Sequence, residues 1–409
     1  MNNTLRNQND SLTPLHATIQ LPASKSESNR LLILHALSNG NLKIVNFSTA
    51  NDTLLLQKAL NSKSLIVNID DAGTAMRFLT SFFAMRNEHK IVKGSDRMHQ
   101  RPVSDLVEAL HQIGFRINYL GQPGFPPIEI IPVNLESLNN KVSIDGSISS
   151  QFISSLMMIG ASLPQGLEIT ITGEIASKPY ILLTAELMRK AGIESSINFP
   201  VITIAKQEYK TTVLSAGDDW TNAGYWFSLV ALSTSAELIL EGLEEDSAQG
   251  DKVLLEWGSY FGVKSEFKQG ALHISKMEKW NRDSLHFDFT PHPDLAQTII
   301  VLCAAKGIQA TFTGLNSLRI KETDRIAALQ TELKKFDVEL VEKDNGIFTL
   351  DGKFVARPVT IETYNDHRMA MCFAPLAVLA PITFTDPSVV LKSYPDFWVE
   401  MGKVLSVEF

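Results

Sequence analysis

Polar clusters followed by apolar runs recur along the chain, and each such junction predicts the start of a helix. The junctions come in pairs, whose second members follow the first by about 30 residues. The first members lie near Ser24, Ala72, Ser149, Trp220, Asp294 and His367, and the second members near Asp52, Pro102, Lys178, Gly250, Thr323 and Pro395. Short β-branched segments such as LKIVNF and LEITIT lie between the junctions and predict strands.

This spacing predicts an α/β protein made of six diverged units, each with strands and two helices. The natural division falls near residues 215–219 and gives two similar domains of three repeated units. We expect a first domain over residues 22–217 and a second built from residues 1–21 and 218–409. The ligand site is then expected in the cleft between the domains. An ordinary α/β protein with evenly spaced helices is the alternative.

The charge balance restricts the classes of ligand. The chain has 37 Lys and Arg residues against 45 Asp and Glu, a net charge of −8, which argues against nucleic-acid binding. Any anion site must therefore be built from specific residues. Cys303 and Cys372 lie in apolar stretches and offer neither a disulfide framework nor a cysteine zinc site. The polar N-terminus and the proline-interrupted apolar stretch 369–384 predict no signal peptide and no membrane span, hence a cytoplasmic protein.

The segment LPASKSESNR outlines an anion site at a helix start. Ser24 and Glu27 have capping-box spacing, and a helix N-terminus presents free N–H groups and positive potential. Lys25, Ser26 and Arg30 add donors and positive charge to the first turns. A capped helix with a solvated basic face is the alternative for this segment alone.

The same layout of small residues and cations recurs at other helix starts in the first half, and this recurrence favours ligand binding over capping alone. The segments are DDAGTAMRF with Gly73 and Arg77, GSISSQF with Ser149, Ser150 and Gln151, and SKPY with Ser177 and Tyr180. Arg97 and Arg101 in GSDRMHQRP form a further cationic pair in a loop before a helix, for which solvated arginines are the alternative.

In the second half, KETDR is the densest charged cluster. Placed at a helix start, Lys321 and Arg325 would share a face as i,i+4 neighbours, whereas Glu322 and Arg325 could pair as i,i+3 neighbours. An anion between the two cations would relieve their repulsion. A salt-bridged surface helix is the alternative.

Three further segments of the second half place polar residues at helix starts: TPHPDLAQT with Asp294, NDHRMAMCF with Asp366, His367 and Arg368, and LKSYPDF with Lys392. P-loop, dinucleotide and HExxH motifs are absent from the sequence. His273, His286 and His292 lack metal-ligand spacing, so we expect no metal. Cations with a few carboxylates suit group transfer between two small anions without a cofactor.

Together these motifs resemble the 5-enolpyruvylshikimate-3-phosphate (EPSP) synthase family, also called 3-phosphoshikimate 1-carboxyvinyltransferases. LPASKSESNR, AGTAMR, SSQF, SKPY, KETDR, YNDHRMAM and LKSYPDF occur in the family's order over residues 21–397. The resemblance implies an inside-out α/β barrel of the enolpyruvyl transferase type, with two three-unit domains and the active site in the interdomain cleft. It also implies a cytoplasmic monomer of the shikimate pathway, which supplies chorismate and the aromatic amino acids.

The implied reaction transfers the enolpyruvyl group of phosphoenolpyruvate to the 5-hydroxyl of shikimate 3-phosphate and releases phosphate. It proceeds by addition to a tetrahedral intermediate and elimination, without a metal or cofactor. The implied shikimate 3-phosphate contacts are Lys25, Ser26, Arg30, Ser149, Ser150, Gln151, Ser177, Tyr180, Asp294, Ser317 and Lys321. Those to phosphoenolpyruvate are Lys25, Gly73, Arg97, Gln151, Arg325, Arg368 and Lys392. Asp294 is the expected base and Glu322 the expected proton-exchange group, with Lys321, Lys392 and Lys25 as further catalytic residues.

Four residues depart from the family's usual pattern. Ala23 stands where many members have Gly, Asp71 where Asn is common, Phe78 where Pro often follows the Arg, and Ser317 where some members have a substrate-contacting Asn. Asp71 adds negative charge near the expected phosphoenolpyruvate pocket and is expected to change affinity for that substrate and for glyphosate, which competes with it. We expect glyphosate still to inhibit, because Gly73 leaves room in the pocket.

Two rivals can be compared with this reading. A UDP-N-acetylglucosamine enolpyruvyl transferase would carry a functional Cys in the loop GSDRMHQRP, and that loop has none. A non-catalytic anion-binding homologue would need only the binding residues, whereas Asp294, Lys321 and Glu322 are all present.

Overall fold

The computed structural model describes residues 3–7, 14–278, 284–343 and 346–408. Residues 1–2 and 8–13, which include parts of the polar N-terminal segment, lie outside these ranges. The chain divides into two compact units. We call Ala23–Ala216 the continuous unit, and Met1–Pro22 with Gly217–Phe409 the split unit.

The continuous unit alternates strands and helices. Its helices are α1 (Lys25–Leu37), α2 (Asn51–Leu60), α3 (Gly73–Met85), α4 (Ser104–Ile113), α5 (Ser150–Gly160) and α6 (Lys178–Lys190). Its strands are β3 (Leu42–Asn46), β4 (Ile66–Asn68), β5 (Lys90–Lys93), β6 (Arg116–Tyr119), β7 (Ile128–Ile131), β8 (Lys141–Asp145), β9 (Leu167–Thr172), β10 (Ser196–Asn198), β11 (Val201–Ile204) and β12 (Thr212–Ser215).

The split unit has the same alternation. Its helices are α7 (Trp220–Leu232), α8 (Leu254–Tyr260), α9 (Ala296–Lys306), α10 (Arg325–Lys334), α11 (His367–Phe373) and α12 (Phe397–Met401). Its strands are β1 (Thr4–Arg6), β2 (Leu15–Gln20), β13 (Ala236–Glu241), β14 (Val263–Lys268), β15 (Ala271–Lys276), β16 (Ser284–Asp288), β17 (Gln309–Thr313), β18 (Val338–Glu342), β19 (Phe348–Gly352), β20 (Val359–Ile361), β21 (Ile382–Phe384) and β22 (Ser406–Glu408).

One sheet pattern repeats in both units. In β4-β5-β7-β6 the first two strands are parallel, and the next two return antiparallel. A helix connects the parallel pair, as a parallel crossover requires. The sheets β8-β9-β11-β10 and β16-β17-β19-β18 have the same order. The predicted α/β class and its repeated strand-helix units are therefore confirmed.

The other three sheets show how the chain passes between the units. Strand β2 pairs in parallel with β13, and β12 pairs in parallel with β3. In the other repeats, a helix connects the two parallel strands directly. Here β2 is followed by α1 of the continuous unit, and α7, which precedes β13, follows β12. The sheet β20-β21-β1-β22 completes the pattern with the N-terminal strand β1. The continuous unit is thus an insertion between the parallel strands β2 and β13.

The first helix of each repeat lies inside its unit. In the continuous unit α1, α3 and α5 pack on one another, and in the split unit α9 packs on both α7 and α11. These helices are buried on nearly every side, which is typical of a fully enclosed helix. The strands β8 and β9 instead alternate buried and more exposed residues, as expected of outer sheets. This inside-out arrangement brings the helix starts of each unit close together. None of the described helices is long and apolar enough to cross a membrane.

Candidate functional site

A cluster of guanidinium and carboxylate groups lies at the helix starts of the split unit. Arg325, the first residue of α10, has a side chain that is only 2% exposed. Its Nε donates to Asp366 Oδ2 at 2.7 Å and its Nη2 to Glu322 Oε2 at 2.9 Å. The Nη1 atom lies 3.7 Å from Asp294 Oδ1. Burial lowers the pKa of Arg325, but the carboxylates of Asp366 and Glu322 outweigh it and raise the pKa, so the group stays charged.

Arg368 holds the carboxylate that is expected to be the base. Its Nη2 lies 3.0 Å from Asp294 Oδ2, and its Nη1 donates to the Asp294 carbonyl oxygen at 3.0 Å. Among the carboxylates around Arg325, Asp294 is the most accessible, with 22% of its side chain exposed against 12% for Glu322 and none for Asp366. Asp294 therefore combines a fixed orientation with access for a ligand.

The buried carboxylate of Asp366 organises this cluster. It caps α11 by accepting from the Arg368 N–H at 2.9 Å and at the same time binds Arg325. His367 Nδ1 lies 3.5 Å from Asp366 Oδ1, and both side chains are buried. Sequence reasoning placed Asp366 before a helix but did not include it in the site. The signal was present, because Asp is a preferred N-cap residue.

The predicted relation between Lys321 and Arg325 is wrong. Helix α10 begins at Arg325, with Asp324 as its N-cap, so Lys321 precedes the helix in extended backbone and shares no helical face with Arg325. The Asp324 side chain accepts from the N–H groups of Ile326 and Ala327, which fixes this later start. The predicted contact of Glu322 with Arg325 is confirmed, although Glu322 also precedes the helix, so the two residues do not pair along a helical face.

The remaining candidates of the split unit are Ser317, Lys321 and Lys392, which lie in turns or extended backbone near the helix starts. Ser317 belongs to the 3-10 turn Asn316–Ile320, directly before Lys321. Lys392 ends the 3-10 turn Pro387–Lys392, which packs against α11. All three side chains belong to residues of intermediate exposure, so they are accessible to a ligand.

In the continuous unit the cap of α1 is as predicted. Ser24 Oγ accepts from the Glu27 N–H at 3.4 Å. Lys25 Nζ lies 3.3 Å from Asp52 Oδ2, and the two side chains are 15% and 5% exposed. Sequence reasoning placed Asp52 near a helix start but did not pair it with Lys25. The pairing holds the ammonium at the start of α1, where an anion is favoured.

Arg30 is buried within its unit. Its Nε donates to Thr184 Oγ1 at 2.7 Å, and its Nη2 donates to Ser154 Oγ at 3.2 Å. The guanidinium also lies 5.4 Å from the Phe78 ring centre and 5.7 Å from that of Tyr180. Burial lowers the pKa of Arg30 to about 10, so it remains a cation at neutral pH. Phe78 thus packs against a candidate binding residue.

The starts of α3 and α5 are linked by a side-chain hydrogen bond. Gln151 Nε2 donates to Thr74 Oγ1 at 3.2 Å, and Ser149 caps α5 by accepting from the Gln151 N–H at 3.3 Å. A Cβ atom on Gly73 would lie 2.5 Å from Arg101 Nη1, so the missing side chain admits that guanidinium. Arg101, singled out with Arg97 in the sequence, therefore reaches the start of α3.

Other candidates of this unit have local roles. Arg97 donates from Nη1 to Gln100 Oε1 at 3.3 Å. Ser150 is buried, whereas Ser177 precedes α6 in left-handed backbone with a φ of 56°. The Ser26 carbonyl oxygen accepts a hydrogen bond from Arg30 Nη1 at 2.8 Å. Arg77 was expected to project toward a ligand, but its guanidinium donates to the carbonyl oxygens of Gly73 and Pro102 and joins α3 to the following loop.

Asp71, one of the departures, accepts a hydrogen bond from the Ser95 hydroxyl, so its negative charge is partly satisfied within the protein. Within the described ranges no group of three or more His, Cys, Asp or Glu side chains could hold a metal ion. Burial raises the pKa of both Cys303 and Cys372, which makes them poor nucleophiles.

Comparisons with known proteins agree with the family resemblance stated from the sequence motifs. The sequence model of the EPSP synthase (3-phosphoshikimate 1-carboxyvinyltransferase) family matches residues 10–62 and 56–401. The chain is 43% identical to the 3-phosphoshikimate 1-carboxyvinyltransferase of Bacteroides fragilis strain YCH46 over 394 residues, 95% of each chain. It is 33% identical to the enzyme of that name from Nitrosomonas europaea over 422 residues, 96% of each chain.

Solved structures resemble the fold at low sequence identity. An EPSP synthase from Acinetobacter baumannii matches with a TM-score of 0.74 at 17% identity, over 99% of each chain. The enolpyruvyl transferase NikO from Streptomyces tendae matches with a TM-score of 0.73 at 13% identity, over the whole of both chains. These two likenesses concern the fold alone, which is that of the enolpyruvyl transferases.

Proposed function

The chain belongs to the EPSP synthase (3-phosphoshikimate 1-carboxyvinyltransferase) family, and from this premise we propose that it transfers the enolpyruvyl group of phosphoenolpyruvate to the 5-hydroxyl of shikimate 3-phosphate. Phosphate is the second product. The observation that carries the proposal is the accessible carboxylate of Asp294, held by Arg368 at 3.0 Å beside the buried Arg325. Such a group can take a proton while the neighbouring cations stabilise developing negative charge.

The proposed mechanism has two steps. In the addition step Asp294 takes the proton of the 5-hydroxyl while the hydroxyl oxygen bonds to C2 of phosphoenolpyruvate. The methylene carbon of phosphoenolpyruvate gains a proton in the same step and becomes a methyl group. Elimination then removes a proton from that methyl group and breaks the C2–O bond to phosphate. Glu322 is proposed for the proton exchange at carbon, because its position against Arg325 places it beside Asp294 in the cluster. Lys321, Lys392 and Lys25 are proposed to stabilise charge along the way.

The binding residues are proposed as the sequence suggested. Those for shikimate 3-phosphate are Lys25, Ser26, Arg30, Ser149, Ser150, Gln151, Ser177, Tyr180, Asp294, Ser317 and Lys321, and those for phosphoenolpyruvate are Lys25, Gly73, Arg97, Gln151, Arg325, Arg368 and Lys392. Helix N-termini and buried cations support these roles, because both favour phosphate and carboxylate groups. The same proposal includes a cytoplasmic monomer that uses no metal or organic cofactor.

Phosphate release from phosphoenolpyruvate tests the function. The purified protein is assayed with shikimate 3-phosphate, with UDP-N-acetylglucosamine and without an acceptor. We expect release with shikimate 3-phosphate only, together with stoichiometric formation of the enolpyruvyl ether detected by mass spectrometry. Release with the nucleotide sugar would identify the rival transferase. Binding of shikimate 3-phosphate without release under any condition would indicate the non-catalytic homologue.

Glyphosate is expected to inhibit competitively with phosphoenolpyruvate. The physical reason is that Gly73 leaves the start of α3 without a side chain, so that the Arg101 guanidinium can approach to 2.5 Å from where a Cβ atom would be. Gly73→Ala should therefore displace Arg101 and weaken both glyphosate inhibition and phosphoenolpyruvate binding. Inhibition constants and KM values of the two proteins measure this. Wild-type activity that is unaffected by millimolar glyphosate would contradict the expectation.

A further inference from the structure

The turn that carries Asp294 is fixed from two sides. On one side Arg368 binds both its carboxylate and its carbonyl oxygen. On the other side, the turn begins at His292, whose carbonyl oxygen accepts from the Leu295 N–H at 3.1 Å, and Pro293 restricts the backbone between them. The orientation of His292 therefore bears directly on the position of Asp294.

The His292 ring faces a buried carboxylate from another element. Its Nδ1 lies 3.5 Å from Asp251 Oδ1, and the two side chains are 13% and 4% exposed. Among the described residues neither atom makes a hydrogen bond of good geometry, so the ion-pair distance of 3.5 Å is the polar contact recorded for each. Because an unpartnered polar atom is costly in a buried place, each is the other's natural partner. Asp251 belongs to the 3-10 turn Gly250–Val253, which precedes α8.

Asp251 is itself held in place. Thr221, in the first turn of α7, donates its hydroxyl to Asp251 Oδ2 at 2.5 Å. The His292 ring makes a T-shaped contact with Trp257 of α8, with ring centres 5.5 Å apart and planes at 82°. The order Thr221, Asp251, His292 thus forms a chain of polar contacts that ends two residues before the proposed base.

We propose that His292 is a positioning residue for the transferase reaction and acts through Asp294, with Asp251 and Thr221 fixing the imidazole. This inference rests on the proposed function, in which Asp294 takes the proton of the acceptor hydroxyl. Loss of the contact leaves Asp294 in place but widens the range of positions that its carboxylate samples. A small misplacement of a base lowers turnover more than it lowers substrate binding.

Asp251→Asn is the main kinetic test, because it keeps the shape and removes the charge. Measured well below the Tm of each protein, kcat is expected to fall about tenfold, with both KM values within about twofold of wild type. His292→Phe, which keeps the ring edge against Trp257, should behave alike. In an Asp294→Asn background, Asp251→Asn should have no further effect. Three results would overturn the proposal: an unchanged kcat, an additive effect on kcat in the double variant, or a fall in kcat that is explained by partial unfolding of the variant at the assay temperature.

Glu129→Gln is the matched control. Glu129 Oε1 lies 3.0 Å from His89 Nε2 on the continuous unit. The substitution therefore removes a carboxylate–imidazole pair that has no link to Asp294. Its kinetic constants should equal those of wild type.

A spectroscopic measurement separates this inference from the proposed function. The ring nitrogen signals of His292, assigned through His292→Phe, should shift in the Asp294→Asn protein, whereas those of His89 should not. This result does not depend on turnover. If the wild-type protein has no transferase activity but the His292 signals still shift in Asp294→Asn, the proposed function is wrong and the coupling of His292 to Asp294 stands. Unchanged His292 signals would overturn the positioning role.

Discussion

The carboxylates around Arg325 differ in which charged partners remain when one of them is removed. Arg325 contacts three of them, so loss of Asp294 still leaves Asp366 and Glu322 against the buried guanidinium. Loss of Asp366 would remove the closest contact to Arg325 and the cap of α11 together. Removing one partner of a buried ion pair is costly because the other charge remains. Loss of Asp294 also takes a carboxylate away from Arg368, whose side chain is only 8% exposed, so the chemical role of Asp294 is tested by measuring stability together with activity.

Asp294→Ala is expected to leave shikimate 3-phosphate binding largely intact and to lower turnover by about 10² or more, as for loss of a positioned base. Calorimetric binding and steady-state kinetics measure the two effects. Asp351→Ala is the control, because Asp351 is an exposed partner of Lys343 in the same unit. Unchanged turnover would remove Asp294 from the role of base.

Lys306 is expected to make stability depend on pH. Its Nζ donates to the Ala231 carbonyl oxygen at 3.0 Å, and Lys276 donates to the same oxygen. Burial, followed by the charge of Lys276, lowers the pKa of Lys306 to about 8. The unfolded chain then binds more protons above about pH 8, so the free energy of unfolding should rise with pH from there toward the ordinary lysine pKa.

Urea unfolding at pH 7 and pH 9.5 measures this rise, and the difference from Lys306→Met isolates the contribution of Lys306. The variant should show a smaller rise than wild type. Lys334→Met is the control, since Lys334 forms an exposed pair with Glu339. An equal rise in wild type and Lys306→Met would contradict the expectation.

At the scale of elements, two helical glycines should respond oppositely to the same change. A Cβ atom on Gly224 of α7 would meet Leu254 at 3.5 Å, an ordinary contact. On Gly258 of α8 it would lie 2.5 Å from the buried ring of Phe227. Gly224→Ala should raise the free energy of unfolding by about 0.5–1 kcal/mol, because it restricts the unfolded chain. Gly258→Ala should lower it by about 1–3 kcal/mol through overpacking.

Chemical denaturation of both variants measures the two effects in one unit, so each variant controls for the other. Destabilisation by Gly224→Ala, or tolerance of Gly258→Ala, would contradict the packing described for α7 and α8.

The helix starts could be predicted because their causes are local. Ser24 caps α1 through a residue three positions on, and the apolar runs that follow each start are read directly from the sequence. The Glu322–Arg325 pair was predictable for the same reason. The start of α10 was predicted near Thr323, close to the observed Arg325, but KETDR was treated as helical from Lys321. Asp324 caps the helix, so Lys321 falls outside it.

Contacts between distant residues could not be predicted in this way. Arg30 meets Thr184, and Arg325 meets Asp366, only after the inner helices have packed together. A guanidinium at a helix start is compatible with solvent, ligand or a buried carboxylate, and the sequence does not distinguish these. Packing decides, and here it buries Arg30, Arg325 and Arg368 within their units.

At the scale of the whole molecule, the connectivity assigns different requirements to the two units. Residues 23–216 contain every strand partner that their sheets use. Residues 217–409 do not, because β1 lies between β21 and β22, and β2 pairs with β13. A chain of residues 217–409 would therefore expose unpaired strand edges, which promote aggregation.

We expect residues 23–216 to unfold cooperatively as an isolated chain, and residues 217–409 to aggregate. A permutant in which a short Gly/Ser linker joins residues 217–408 to residues 3–22 should recover cooperative unfolding. Thr4 pairs with Glu408, so β22 ends where β1 begins, and a hairpin-length linker can join them. Circular dichroism melts and gel filtration of the three chains measure this. Cooperative unfolding of residues 217–409 alone would show that β1 and β2 are dispensable, against the requirement that their pairing imposes.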